Sequence, residues 1–121
     1  MTHDINIHHE DNHESASSYL VEEIRNLLVN SNRDFSIGLS GGNTPKLTYS
    51  MMAEKLDDLS KTFLWTIDDR WIEEDNELSN QRMINEYFER TEANILKFEF
   101  TSSSPESDAK KYEDKLKSTI Q

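Results

Sequence analysis

The chain has 121 residues and a formal net charge of −11, which is one domain or part of one, and which excludes a nucleic-acid surface built on clustered Lys and Arg. The absence of cysteine excludes a disulfide framework and a thiolate nucleophile, and no apolar run approaches the ~20 residues of a membrane-spanning helix. Leu, Ile, Val and Phe make up just over one fifth of the residues, close to the roughly 20% below which chains stay disordered, so any core is thin.

Ile5-Asn6-Ile7-His8 alternates and is expected as a short first strand. Residues 14 to 30 read as a helix with Ala16, Tyr19, Leu20, Ile24, Leu27 and Leu28 on one face. The polar stretch from Asn30 to Asp34 breaks it. Phe35 to Leu39 alternates apolar and small or polar residues and reads as a strand. A second helix is expected from about Pro45 to Leu56, with Leu47 and Met51 inward and Met51 and Met52 filling core. Phe63 to Ile67 is a nearly continuous apolar run, the pattern of a strand buried on both faces. Asp68 to Leu78 is acidic and irregular, after which Ser79 caps a helix to about Arg90. Ile95 to Phe100 reads as a further strand, and Glu106 to about Ser118 as a charged helix carrying Ala109, Tyr112 and Leu116. Strand and helix alternate, so the expected class is α/β with a mainly parallel sheet.

Two strand ends carry chemistry. After the strand at 35–39 come Ser40, Gly41, Gly42, Asn43, Thr44 and Pro45. The glycines let the backbone approach a ligand, and free N–H groups beside a helix start form a seat for an anion such as phosphate. The same residues also suit a tight turn with Asn43 or Thr44 as N-cap, and both readings stand on the loop alone. After the strand at 63–67 come Asp68, Asp69, Arg70 and Trp71. Ligands of α/β sheets sit beyond the carboxyl ends of strands. If these two strands are parallel neighbours, Arg70 brings a planar fork of donors to whatever the glycine loop holds. Asp68 and Asp69 then orient Arg70, or one of them moves a proton. The alternative is a solvated acidic turn in which Arg70 pairs with its neighbours. The histidines (His3, His8, His9, His13) lie ahead of the first helix without metal-ligand spacing and read as solvated, so no metal is expected. Trp65 and Trp71 read as packing residues.

Leu39-Ser40-Gly41-Gly42-Asn43-Thr44-Pro45 with Tyr49 resembles the L-S-G-G-S-T-P…Y signature of 6-phosphogluconolactonases. Trp65…Asp68-Asp69-Arg70-Trp71-Ile72…Ser79-Asn80-Gln81-Arg82-Met83…Glu86 is similar to that family's W…D-E-R-W-V…S-N-x-R-M…E block. Related glucosamine-6-phosphate isomerases share the fold but show T-G-S-T-P and D-E-Y; Arg70 and Ser79-Asn80 favour the lactonase branch. The resemblance implies a Rossmann-like three-layer fold with helices on both faces of the sheet. It also implies a cytoplasmic, cofactor-free hydrolase opening 6-phosphogluconolactone in the pentose phosphate pathway. Arg70 and Asp68 would be catalytic. Ser40, Gly41, Gly42, Asn43, Thr44, Asp69, Asn80 and Arg82 would contact the sugar phosphate. Lactone hydrolysis concentrates negative charge on the former carbonyl oxygen, so fixed donors there lower the barrier.

The chain departs from the family in places. Asp69 replaces a usual glutamate, Glu73 a usual proline and Asn43 a serine. Family members run to roughly twice this length, and their second half carries a G-x-D-G-H segment whose histidine is the implied general base; this sequence has no such segment. The expectation is therefore an amino-terminal half of the fold in a single domain over residues 1–121, with little activity alone. Half a doubly wound sheet also leaves an apolar edge, which predicts self-association or pairing with a complementary carboxy-terminal half. The competing readings are an aminosugar-phosphate isomerase and a non-catalytic binding module.

Overall fold

In the computed structural model, which describes residues 4–120, four helices and three short strands alternate: α1 (His13–Val29), β1 (Phe35–Leu39), α2 (Lys46–Lys55), β2 (Thr62–Thr66), α3 (Asn80–Phe88), β3 (Asn94–Leu96) and α4 (Pro105–Thr119). The strands pair in parallel in the order β1–β2–β3, with Ile37 opposite Leu64 and Leu64 opposite Ile95. Paired residues in a sheet point to the same face. That row therefore faces the main core, where Leu64, Ile84 and Phe88 are fully buried beside Val21, Leu39 and Met52. Two crossovers in one direction place α2 and α3 on that face, and α1 joins them through a Thr48 hydroxyl donating to Ser17 Oγ at 2.9 Å. On the other face, Thr119 and Ile120 at the end of α4 border the same groove as Ser36 and Phe63.

Several expected boundaries shift for physical reasons. Ile5 to His8 is not a strand: Ile5 and Ile7 are exposed, and His8 stacks on Tyr19 with ring centroids 3.5 Å apart. A four-residue segment with alternate polar side chains has no apolar stripe large enough to hold it in the sheet. The buried stripe of α1 runs through Ser17, Val21 and Ile24, while Tyr19, Leu20 and Leu27, expected inward, are exposed. The Ser17–Thr48 bond fixes this rotation against α2.

Pro45 is the N-cap of α2 and makes no side-chain cap bond, so neither Asn43 nor Thr44 serves there. Ser79 caps α3 as expected, its Oγ accepting from Arg82 N–H at 3.1 Å, but the helix stops at Phe88. β2 spans Thr62–Thr66, and Ile67 points to solvent. β3 covers three residues where six were expected. The Tyr112 hydroxyl takes the place of a longer β3: it accepts from Thr66 N–H at 2.9 Å and donates to Thr66 C=O at 3.0 Å. Phe98 and Phe100 then leave the sheet and pack edge-on against Tyr112 and Trp71.

Candidate functional site

Parallel pairing aims the ends of β1 and β2 at one rim of the sheet. Ile67 N–H donates to Leu39 C=O at 3.0 Å, so the two following loops leave the sheet side by side. The Asn80 side chain then ties them. Its Nδ2–H donates to Asp68 C=O at 3.0 Å, while its carboxamide fills the space where a Cβ on Gly41 would stand. Gly42 follows with a φ of +90°, a conformation that L side chains rarely adopt.

Between these loops lies a cavity of about 330 Å³ bordered by Gly42, Asn43, Arg70, Asn80 and Arg82, five of the ten residues expected to form the site. It also takes in Lys46, Glu86 and Tyr87, which were not among the expected site residues. A larger groove of about 1030 Å³ opens at the other end of β1, around Asn30 to Ser36 and Ile120. Ligands of open α/β sheets bind at carboxyl strand ends, so the smaller cavity is the candidate site.

Its cations differ in how far they are committed. Arg70 is exposed, with Nη1–H donating to Leu78 C=O at 3.0 Å and its remaining side-chain donors without a partner among the described residues. Arg82 pairs with Glu86 through Nε at 2.9 Å and donates from Nη1 to Asp75 C=O; Glu86 raises its pKa further. Lys46 Nζ has no hydrogen-bonding or ionic partner among the described residues, and it stands in the first turn of α2, the positive end of that helix. Three cations against the two carboxylates Glu77 and Glu86 leave the cavity lining net positive in a chain of net charge −11.

The other five expected residues lie outside the cavity wall. The Asp69 carboxylate accepts from Arg70 N–H and Asn80 N–H through Oδ1, both at 2.8 Å, and from Gln81 N–H through Oδ2 at 3.0 Å. Together with the Ser79 cap it satisfies the first three N–H groups of α3, which have no intrahelical acceptor. Asp69 thus holds the loop carrying Arg70 onto the start of α3. The exposed Asp68 side chain is not part of the cavity wall; its carbonyl accepts from Thr66 Oγ1–H at 2.5 Å. The Ser40 carbonyl accepts from the Tyr49 hydroxyl at 2.7 Å, and burial raises the pKa of that phenol. Thr44 is exposed and outside the wall, and Gly41 lies behind Asn80. The wall includes no histidine among the described residues. Sequence signals for the missed residues existed: Lys46 follows Pro45 at the helix start, and Glu86 stands four residues after Arg82.

Comparison with known proteins agrees with this geometry. A 6-phosphogluconolactonase of Synechocystis sp. is 36% identical over 90 residues, 71% of this chain and 38% of the relative. A crystal structure of 6-phosphogluconolactonase from Thermotoga maritima superposes with a TM-score of 0.73 at 31% identity, over 84% of this chain and 50% of that one. One from Shewanella baltica gives 0.80 over 93% of this chain and 50% of that one; at 23% identity the likeness concerns the fold. The chain thus spans about half the length of these solved structures and less of the curated relative. With a family model matched over residues 8–121 and both motif loops meeting at one rim, the chain belongs to the glucosamine-6-phosphate isomerase/6-phosphogluconolactonase family.

Proposed function

We propose that the chain supplies the sugar-phosphate-binding half of a 6-phosphogluconolactonase. The observation that carries this reading is a cavity at the carboxyl ends of β1 and β2, where Gly42 and Asn43 face Arg70, Asn80 and Arg82. The glycine loop and Lys46 seat the phosphate or sugar oxygens, and Arg70 stabilises charge on the substrate carbonyl as water adds. Asp69 acts by fixing the Arg70 loop, and Asp68 stays at the rim, exposed to solvent. A cytoplasmic setting belongs to this reading, because sugar phosphates are intracellular metabolites.

The lactonase block D-D-R followed by S-N, rather than the isomerase D-E-Y, favours the lactone over an aminosugar phosphate. The general base is expected from a complementary polypeptide segment. Its absence typically forfeits a factor of about 10² to 10⁴ in rate. The open edge of β1, with Leu20, Leu27 and Ile67 exposed around a groove of about 490 Å³, supports such a partner or a second copy of this chain.

Calorimetric titration with 6-phosphogluconate and with glucosamine 6-phosphate, beside a coupled lactonase assay, tests the reading. Binding of 6-phosphogluconate that Arg70→Ala weakens by about a hundredfold, with weak turnover, is the expected result. Turnover of glucosamine 6-phosphate but not of the lactone would reverse it, and robust hydrolysis by the chain alone would place the base within these residues.

A further inference from the structure

Among the described residues, Asp108 is the one carboxylate with no exposed surface. It lies in α4, away from the cavity. Its Oδ2 accepts from Trp71 Nε1–H at 3.0 Å and from Thr101 N–H at 2.8 Å, and its Oδ1 accepts from the Thr101 hydroxyl at 2.5 Å. Burying a charge is costly unless its lone pairs are filled, so a carboxylate kept here points to the groups it accepts from. Those donors all lie outside α4. Helix capping does not explain the residue either, since Ser104 already accepts from Ser107 N–H. The hydrogen bonds from Thr101 and then Trp71 hold the Asp108 carboxyl below the usual aspartate range, which keeps it a charged acceptor.

Trp71 is the residue after Arg70, in a loop without helix or strand between Ile67 and Ser79. Its indole packs edge-on against Phe100 with centroids 5.1 Å apart, and its N–H ends on Asp108. Arg70 is therefore clamped on both sides: Asp69 takes its own N–H, and Asp108 takes its neighbour's indole. We propose that Asp108 is a positioning residue for Arg70, holding through Trp71 the main chain from which the guanidinium reaches the cavity. The fourth helix then acts on the site without touching the ligand. This rests on the proposed role of Arg70 in binding.

The test compares the full chain with Asp108→Ala, Asp108→Asn, Trp71→Phe, Arg70→Ala and the Asp108→Ala/Arg70→Ala pair. Two quantities are read: amide and indole proton exchange in the free protein, and the dissociation constant for 6-phosphogluconate. Asp108→Ala is expected to speed exchange at Arg70 and the Trp71 indole while Leu64 and Ile84 keep their protection. It should weaken binding about tenfold, the scale of one charge-assisted hydrogen bond. Trp71→Phe, which keeps a ring against Phe100, should weaken binding similarly, and Asp108→Asn, which retains an oxygen for the indole, should restore most of it. Asp108→Ala should add little once Arg70 is gone. Losses that multiply in the pair, or unchanged exchange at Arg70, would overturn the proposal. If the unmodified chain fails to bind 6-phosphogluconate, the functional reading falls while exchange alone decides this one. If Asp108→Ala does not fold, Trp71→Phe and Asp108→Asn carry the same comparison.

Discussion

The Asn80 carboxamide lies where a Cβ on Gly41 would be, and its Nδ2–H donates to the Asp68 carbonyl, so one side chain packs on the first site loop and hydrogen-bonds the second. Asn80 cannot readily move aside, because its own N–H is held by Asp69 at the start of α3. Gly41→Ala is therefore expected to cost about 1–3 kcal/mol by overpacking, read from denaturant midpoints. Gly42→Ala meets open space and carries only the strain of a positive φ, about 1 kcal/mol. A larger loss at Gly42 than at Gly41 would refute this account of the loop.

Removing the Asp69 carboxylate strips acceptors from three backbone N–H groups at once. Asp69→Ala should cost about 2 kcal/mol, the upper end for loss of a helix cap, with Asp69→Asn recovering part. Thermal unfolding measures it, and a change under about 0.5 kcal/mol, the range of an ordinary surface site, would contradict the role.

Leu64 is fully buried in the central strand and packs in a thin core. Leu64→Ala should lower stability by about 2–5 kcal/mol, a large fraction of the roughly 5–15 kcal/mol that a domain possesses. Circular dichroism during urea unfolding reads the loss. A midpoint unchanged from the parent chain would mean that β2 is not the centre of the core.

Burial of its ring pushes the Tyr112 hydroxyl up to about 12, against the opposing hydrogen bond at Thr66, and the charge of Asp69 adds to the rise. The folded value lies above the unfolded value of about 10. The resulting stability is therefore complete below pH ~10 and is lost as pH rises through ~12. Ultraviolet titration should show a late tyrosinate phase coupled to unfolding. Tyr112→Phe should lack that phase and be less stable at neutral pH by about 1–2 kcal/mol.

The exposed Leu27 and Ile67 flank the free edge of β1. If this edge drives association, Leu27→Glu with Ile67→Glu should reduce the mass seen by sedimentation at high concentration while leaving the unfolding midpoint within about 0.5 kcal/mol. Equal masses for parent and variant would remove the edge as the contact.

Local sequence fixed the elements whose signals are short-ranged. β1 lies at Phe35–Leu39 because alternation ends at two glycines, and α3 begins after Ser79 because its hydroxyl meets Arg82 N–H. The parallel order followed from alternating strands and helices, and it alone predicts that Gly42 and Arg70 share a rim. Tertiary contacts decided what alternation and periodicity leave degenerate. Leu20 and Leu27 have the same helical spacing as a buried pair, yet the bond between Ser17 and Thr48 turns them outward. Phe98 and Phe100 have strand chemistry, but Tyr112 already occupies the backbone groups of Thr66 that they would extend toward. Asp69 reads as a site acid that orients Arg70 or moves a proton until α3 is seen to present two N–H groups to it, beside that of Arg70. Hydrophobic period and turn chemistry are written in neighbouring residues. The partner of a buried polar group lies tens of residues away, and only the packed chain brings the two within hydrogen-bonding distance.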